Sequence, residues 1–238
     1  MSIHMILFDL DGTLLPMDQT RFMRDYFGRL ARRLAPRGYD PQELVNAIWA
    51  GTADMVKNDG SVVNESRFWE RFFAIFGEDA KQDLPIFDAF YREEFDEIRS
   101  SCGYTPQAAQ IVAQVKALGY RTALATNPLF PAIATECRIR WAGLSCDDFE
   151  LYTTYENSHT CKPNPDYYRE VVGRLGVSPA DCLMVGNDVE EDMVAASATR
   201  MKVFLLTDCL INKKGRDIAC YPHGDFAALS EYIRQLHQ

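Results

Sequence analysis

The sequence predicts an α/β fold: a doubly wound parallel sheet with an α-helical segment inserted after its first strand. Three observations predict it. Short apolar runs at 3–8, 121–126, 150–154, 182–185 and 202–206 alternate, for the most part, with stretches of helical periodicity. Between 15 and 102 no strand pattern occurs, only helical stripes. Acidic and hydroxyl residues recur where the apolar runs stop, and open parallel sheets bind ligands at the carboxyl ends of their strands.

Taken in order, the run 3–8 reads as a buried strand closed by Asp9-Leu10-Asp11-Gly12-Thr13, in which Gly12 and Thr13 force a turn. An Asp in apolar surroundings is costly unless a metal or hydrogen bonds compensate it. Asp9 and Asp11 together suggest a hard cation with oxygen ligands, Mg²⁺ first among them. A plain polar Asp-Gly turn is the other reading of these residues alone.

The insertion carries three stripes. Leu44, Val45, Ile48, Trp49, Met55 and Val56 form one; Phe68, Trp69, Phe72, Phe73 and Phe76 a second; Phe87, Phe90, Tyr91 and Phe95 a third. At helical spacing such aromatic stripes read as the insertion's own core, not as a substrate-binding surface. With 12 Lys and Arg against 16 Asp and Glu, the insertion is no clamp for a polyanion. Asp18, Gln19, Arg21, Asn46, Trp49, Lys57 and Asn64 are its candidates for substrate contact, and the sequence does not choose among them.

Thr105-Pro106 starts the next helix, with Ala108, Ile111, Val112, Val115 and Leu118 on one face. The run 121–126 ends in Thr126 before an Asn127-Pro128 turn. Lys162 lies just ahead of a helix begun by Asn164-Pro165 and faced by Tyr167, Tyr168, Val171, Val172 and Leu175. The fourth run leads through Gly186 and Asn187 to Asp188, with Asp192 one helical turn further on the same face. Glu190 and Glu191 read as solvated helix charges.

Composition narrows the function classes. The chain has 238 residues, 47% hydrophobic and 25% charged, as in ordinary globular proteins. A net charge of −9 argues against a nucleic-acid-binding surface and gives no support to anionic-membrane docking. No run of about 18 apolar residues exists, and Asp9 and Asp11 interrupt the apolar start, so neither a membrane span nor a signal peptide is expected. Cys102, Cys137, Cys146, Cys161, Cys182, Cys209 and Cys220 include no Cys-x-x-Cys pair and suggest thiols of the reducing cytoplasm. Cys161, beside Lys162, reads as a bystander. Monomer and homodimer are equally compatible with the sequence.

Four of these segments, in this order, resemble the motifs of the haloacid dehalogenase-like hydrolase superfamily: Asp9, Asp11 and Thr13; Thr126; Lys162 within Cys161-Lys162-Pro163-Asn164-Pro165; and the acidic Asp188 with Asp192. The resemblance implies an α/β core from 1–14 and 103–238 and a helical cap from 15–102. It implies a phosphatase, because the dehalogenase and phosphonate-cleaving branches lack an Asp where Asp11 stands. The catalytic pair would be Asp9, the nucleophile that forms an aspartyl-phosphate, and Asp11, the general acid and base. Thr126, Asn127 and Lys162 would bind phosphate; Asp9, Asp11 (through its carbonyl) and Asp188 would hold Mg²⁺; Asp192 would orient Lys162 or join the metal. The substrate implied is a small phosphomonoester. Many relatives carry Gly-Asp where this chain has Gly186-Asn187-Asp188, so Asn187 competes with Asp188 for the metal position. A phosphomutase on the same fold and a non-catalytic phosphate-binding protein are the alternatives.

Overall fold

A computed structural model describes residues 3–237. Its centre is a parallel sheet of β1 (Met5–Phe8), β2 (Arg121–Leu124), β3 (Cys182–Gly186), β4 (Lys202–Leu206) and β5 (His223–Gly224) in the order β2-β1-β3-β4-β5. β1 pairs with β2 on one side and β3 on the other, and Phe8 stands level with both Leu124 and Val185. This is a doubly wound order whose topological switch lies beside β1, so the residues after Phe8, Leu124 and Gly186 open into one crevice. Side chains of β1, β2 and β3 are buried apart from the first residue of β2, as strands covered on both faces require.

On one face lie α7 (Pro165–Leu175), a π-helical turn (Val189–Val194) and the short α8 (Ala195–Ser197) that continues it. Met5, Leu7, Ala123, Met184, Tyr167, Tyr168 and Val171 meet there. On the other face Ile6, Phe8, Leu124 and Val185 join α5 (Pro106–Ala117), α6 (Ala132–Trp141) and α9 (Phe226–His237) in a core continuous with the inserted helices.

Between β1 and α5 stand α1 (Gln19–Leu34), α2 (Pro41–Val56), α3 (Asn64–Phe76) and α4 (Leu84–Glu93). Asp18 caps α1 by accepting from the Arg21 amide, and Asp40 caps α2 through the Gln42 and Glu43 amides. In α1, Phe22, Tyr26, Leu30 and Leu34 recur every four residues and are buried. The stripe expected on α2 is narrower in the fold: Leu44, Ile48 and Met55 are buried, whereas Trp49 is 48% exposed.

Two strand expectations change. The run 150–154 lies parallel beside β2, with Leu124 N–H donating to Leu151 O at 2.8 Å, but forms only the bridge Leu124–Tyr152. Its first residue, Glu150, is exposed and paired with Arg121, and the pairing stops after the Thr153 amide donates to Leu124 O at 3.2 Å, because the next amide, of Thr154, turns to Asn157 Oδ1 at 2.9 Å. The edge strand β5 was not anticipated, since two residues carry no periodic signal. Among the described residues no helix is long and apolar enough to cross a membrane.

Candidate active site

Asp9 follows β1 directly, and its amide donates to Val185 O at 2.9 Å, so the sheet itself fixes its position. The side chain is buried. Oδ1 accepts from Lys162 Nζ at 2.9 Å and Oδ2 lies 3.0 Å from the Thr13 hydroxyl. That hydroxyl is also 3.1 Å from Asn187 Oδ1, and its single proton serves one partner at a time. The turn that returns Thr13 to Asp9 needs Gly12: its φ is +91°, and an added Cβ would stand 2.3 Å from Asn187 Nδ2.

Lys162 is 1% exposed and donates to Asp9 Oδ1 and, at 2.6 Å, to Asp192 Oδ1. Burial alone would depress its pKa; the Asp192 and Asp9 carboxylates overcome this and hold it well above the ordinary lysine value. Burial likewise raises Asp192, against the pull of Lys162 and of the backbone amides. Asp192 Oδ2 accepts from the amides of Asn187 at 3.1 Å and Asp188 at 3.0 Å, and its carboxyl carbon lies 2.2 Å from where a Gly186 Cβ would be. The glycine ending β3 is thus required by the carboxylate packed on it.

The π-helical turn separates the two acids of this segment. Asp188 is its N-cap, Oδ1 accepting from the Glu190 and Glu191 amides at 2.8 and 2.9 Å, and it is half-buried at the cavity. Asp192 turns inward to Lys162. Asn187 lines the same cavity, but its amide is tied between the Thr13 hydroxyl and Cys209 O, the latter at 2.7 Å.

Thr126 and Asn127 leave β2 opposite. Thr126 is buried, and its carbonyl accepts from the Thr153 and Tyr167 hydroxyls at 2.6 and 2.8 Å, which anchors the loop. Asn127 Nδ2 donates to Glu191 Oε2 at 3.0 Å. Glu191 is therefore no solvated helix charge: it lines the cavity, and burial raises its carboxyl. Glu190 does face outward, paired with Lys214 and Arg216.

Sequence reading missed Arg138. This arginine of α6 is 1% exposed and ion-paired to Asp11 Oδ2; Nε donates to Ala134 O at 3.2 Å, and the guanidinium stacks 4.5 Å from the Phe130 ring centre. A cation flanked by Cys137 and Ile139, in a helix whose charged and apolar residues do not sort to opposite faces, was the available signal. Burial raises the Asp11 carboxyl; Arg138 opposes the rise and Asp9 adds to it. Asp11 Oδ1 is buried with no hydrogen-bond partner among the described residues. Arg138→Met would leave Asp11 without its countercharge. We expect a loss of about 2–4 kcal/mol, below the value for a fully buried pair because the Asp11 side chain keeps 22% exposure. The urea midpoint at unchanged slope measures it.

Asp9, Asp11, Thr126, Asn127, Asp188 and Asp192 all border one cavity of about 310 Å³, which continues between the sheet and α1–α4. Its far wall includes Phe27, Trp49, Phe68, Trp69, Phe87 and Tyr91. The aromatic stripes are therefore divided: Phe72, Phe90 and Phe95 pack inside the helical layer, as expected, while Phe68, Trp69, Phe87 and Tyr91 also face the cavity. Of the polar candidates in the insertion, Gln19 and Trp49 line it; Asp18 caps α1, Arg21 donates to Ser100 O, and Asn64 donates to Thr160 O and Cys161 Sγ.

A family model described as haloacid dehalogenase-like hydrolase matches residues 3–199. The pyrophosphatase PpaX of Bacillus velezensis is 23% identical over 199 residues, spanning 81% of this chain and 78% of its own. Among solved structures, an HAD phosphatase from Thermococcus onnurineus superposes with a TM-score of 0.58 at 19% identity, covering 98% of both chains. A 2-haloacid dehalogenase from Pseudomonas syringae pv. Tomato superposes as well, with a TM-score of 0.60 at 19% identity over 98% of this chain and 99% of that one. These two share the fold, and the fold alone does not select the reaction. The family model, in contrast, runs from β1 through the turn carrying Asp192, and the chain belongs to the haloacid dehalogenase-like hydrolases.

Proposed function

We propose that this hydrolase is a Mg²⁺-dependent phosphatase that cleaves a small phosphomonoester through an aspartyl-phosphate at Asp9. The observation that carries the reading is the placement of two carboxylates on one cavity, each with its own buried cation: Asp9 paired with Lys162 and, two residues on, Asp11 paired with Arg138. An ionised carboxylate is the nucleophile such a reaction needs, and a carboxyl of raised pKa is a better proton donor near neutral pH.

In this reading Asp9 attacks phosphorus in line with the departing alkoxide, and Asp11 donates a proton to that alkoxide. Asp11 then takes a proton from the water that attacks the acyl-phosphate. Arg138 holds Asp11 Oδ2, leaving Oδ1 for the proton. Lys162 neutralises charge on the transferring phosphoryl group, and the Thr126 hydroxyl with the Asn127 amide takes its oxygens.

The donor set fits Mg²⁺. Carboxylates outnumber cations around the cavity, and among the described residues neither His nor Cys lines it. Among the described residues no three such side chains close into a cage. That suits an ion that takes one or two carboxylates and completes its shell with water and phosphate oxygens. Asp9 and Asp188 would hold it, with the Asp11 carbonyl, and it would screen the phosphate charge from the attacking carboxylate. Asp188 is favoured over Asn187 because it brings a charged carboxylate whose cap bonds both fall on Oδ1, leaving Oδ2, whereas Asn187 offers only a neutral amide oxygen beside the Thr13 hydroxyl.

With seven free thiols the chain suits the reducing cytoplasm. The test is release of inorganic phosphate from a panel of phosphomonoesters. Chelation by EDTA is expected to lower release at least 100-fold, and added Mg²⁺ to restore it. Release that ignores EDTA would overturn the metal dependence, and isomerised product without free phosphate would identify a mutase.

A further inference from the structure

Resting on the phosphatase reading, we infer that the substrate is a phosphomonoester whose alcohol portion is a flat, uncharged aryl or arylmethyl group seated in the aromatic half of the cavity. Away from Asp9 and Asp11 the cavity has a mostly aromatic wall, with Gln19 and Thr52 among its few polar side chains. It runs between α1, α2, α3 and α4, and is bounded there by the faces and edges of Phe27, Trp49, Phe68, Trp69, Phe87 and Tyr91. Its volume, about 310 Å³, is at the lower end for small-molecule sites, so a phosphate and one or two rings fill it.

The charge distribution excludes the common polar substrates. Every acid bordering the cavity is at the sheet end. Lys213 is the lining cation among the described residues, and it belongs to the loop after β4 that Ile211 ties to Asn187, not to the helices. The nearby basic residues of the insertion are committed elsewhere: Arg21 to Ser100 O, Arg67 to Asp59 and Glu70, Arg71 to Asp54. A carboxylate or second phosphate on the substrate would therefore lie against ring faces, which are electron-rich, with no countercharge. A polyhydroxylated sugar would meet few partners on the helical side beyond Gln19 and Tyr155, since the Tyr26 and Tyr91 hydroxyls bond each other at 2.8 Å and the Thr52 hydroxyl donates to Ile48 O at 2.9 Å. Burial raises the Tyr26 and Tyr91 phenols, to about 12 for Tyr26, so they are neutral.

An aromatic ring has the opposite balance. It loses little by leaving water and gains offset or edge contacts with rings already set at such angles. Phe27 and Trp49 meet edge-to-face at 5.6 Å, and Trp69 and Phe87 at 5.1 Å. Trp49, half exposed, stands with Phe27 in the wall nearest solvent.

The experiment compares alkyl phosphates whose alcohols ionise alike, so that leaving-group chemistry does not set the order: 2-naphthylmethyl, benzyl and ethyl phosphate, with glycerol phosphate and phosphoglycolate. In parallel, 2-naphthylmethylphosphonate and ethylphosphonate, which cannot be hydrolysed, are titrated by quenching of tryptophan fluorescence. We expect kcat/KM for the naphthylmethyl ester to exceed that for ethyl phosphate at least 100-fold, carried mainly by KM, with phosphoglycolate lowest. The naphthylmethylphosphonate is expected to bind at least 100-fold tighter than ethylphosphonate. Trp49→Ala and the milder Trp49→Leu should shrink both ratios, the first about tenfold. Equal rates and equal affinities across each series, or a preference for phosphoglycolate, would overturn the inference. If no ester is hydrolysed yet the aryl phosphonate still binds preferentially, the substrate class stands and the hydrolytic reading falls.

Discussion

Asp9→Asn is expected to lower phosphate release on the order of 10⁴-fold or more while leaving the fold intact. The amide has nearly the shape of the carboxylate, so Oδ1 can still accept from Lys162, but it is not a nucleophile toward phosphorus. The effect on stability should run the other way. Lys162 is one ammonium buried between two carboxylates, Asp9 and Asp192, so removing one negative charge relieves their repulsion. The variant should therefore melt no lower than the parent, the usual sign of a group held for chemistry at the expense of stability. Phosphate release at saturating Mg²⁺ and a thermal melt check the two halves together. More than a tenth of the parent rate remaining would remove Asp9 from the nucleophilic role.

Lys162→Met should fail on both counts. Its Nζ donates to Asp9 at 2.9 Å and to Asp192 at 2.6 Å, and all three side chains are buried. Without the ammonium two buried carboxylates face each other, and one must take a proton. A loss of about 3–5 kcal/mol is expected, the range for breaking a buried pair from one side. Activity should fall about 10³-fold or more, because positive charge beside the transferring phosphoryl group is lost with it. The double variant Lys162→Met, Asp192→Asn separates the effects. It should regain a good part of the stability, since the second buried charge is gone, and none of the activity. Urea denaturation and initial rates on the same preparations test this; recovery of rate in the double variant would show that Lys162 acts only structurally.

Much of the architecture was legible along the chain because its signals are local. Apolar runs of strand length, helix starts such as Thr105-Pro106 and Asn164-Pro165, and the strand-free stretch from 15 to 102 each depend on neighbours a few residues apart. The residues at strand ends were legible as a set: each has an ordinary turn or strand-end explanation alone, and their order along the chain, matched to a known family, is what marked them. The run at 150–154 misled because periodicity reports a tendency to be extended. Whether an extended segment completes a ladder depends on its edge, and here the pairing ends where the Thr154 amide turns to the Asn157 side chain.

Periodicity and turn residues along the chain give the central strands and the helices, and the order of four short motifs, read through their resemblance to a known family, gives the segments that meet at the site. Which charges pair is settled by packing between distant elements. Arg138 reaches Asp11 across 127 residues of chain, Lys162 reaches Asp9 across 153, and Glu191 turns to Asn127 and away from solvent. The same packing decides that half of an aromatic stripe is core and half is cavity wall, since Phe72 and Phe68 lie on the same helix and carry the same ring. The physical reason is common to both. Helical or strand spacing tells which residues share a face, but what that face meets, a ring, a countercharge or open space, is fixed by elements distant in the chain.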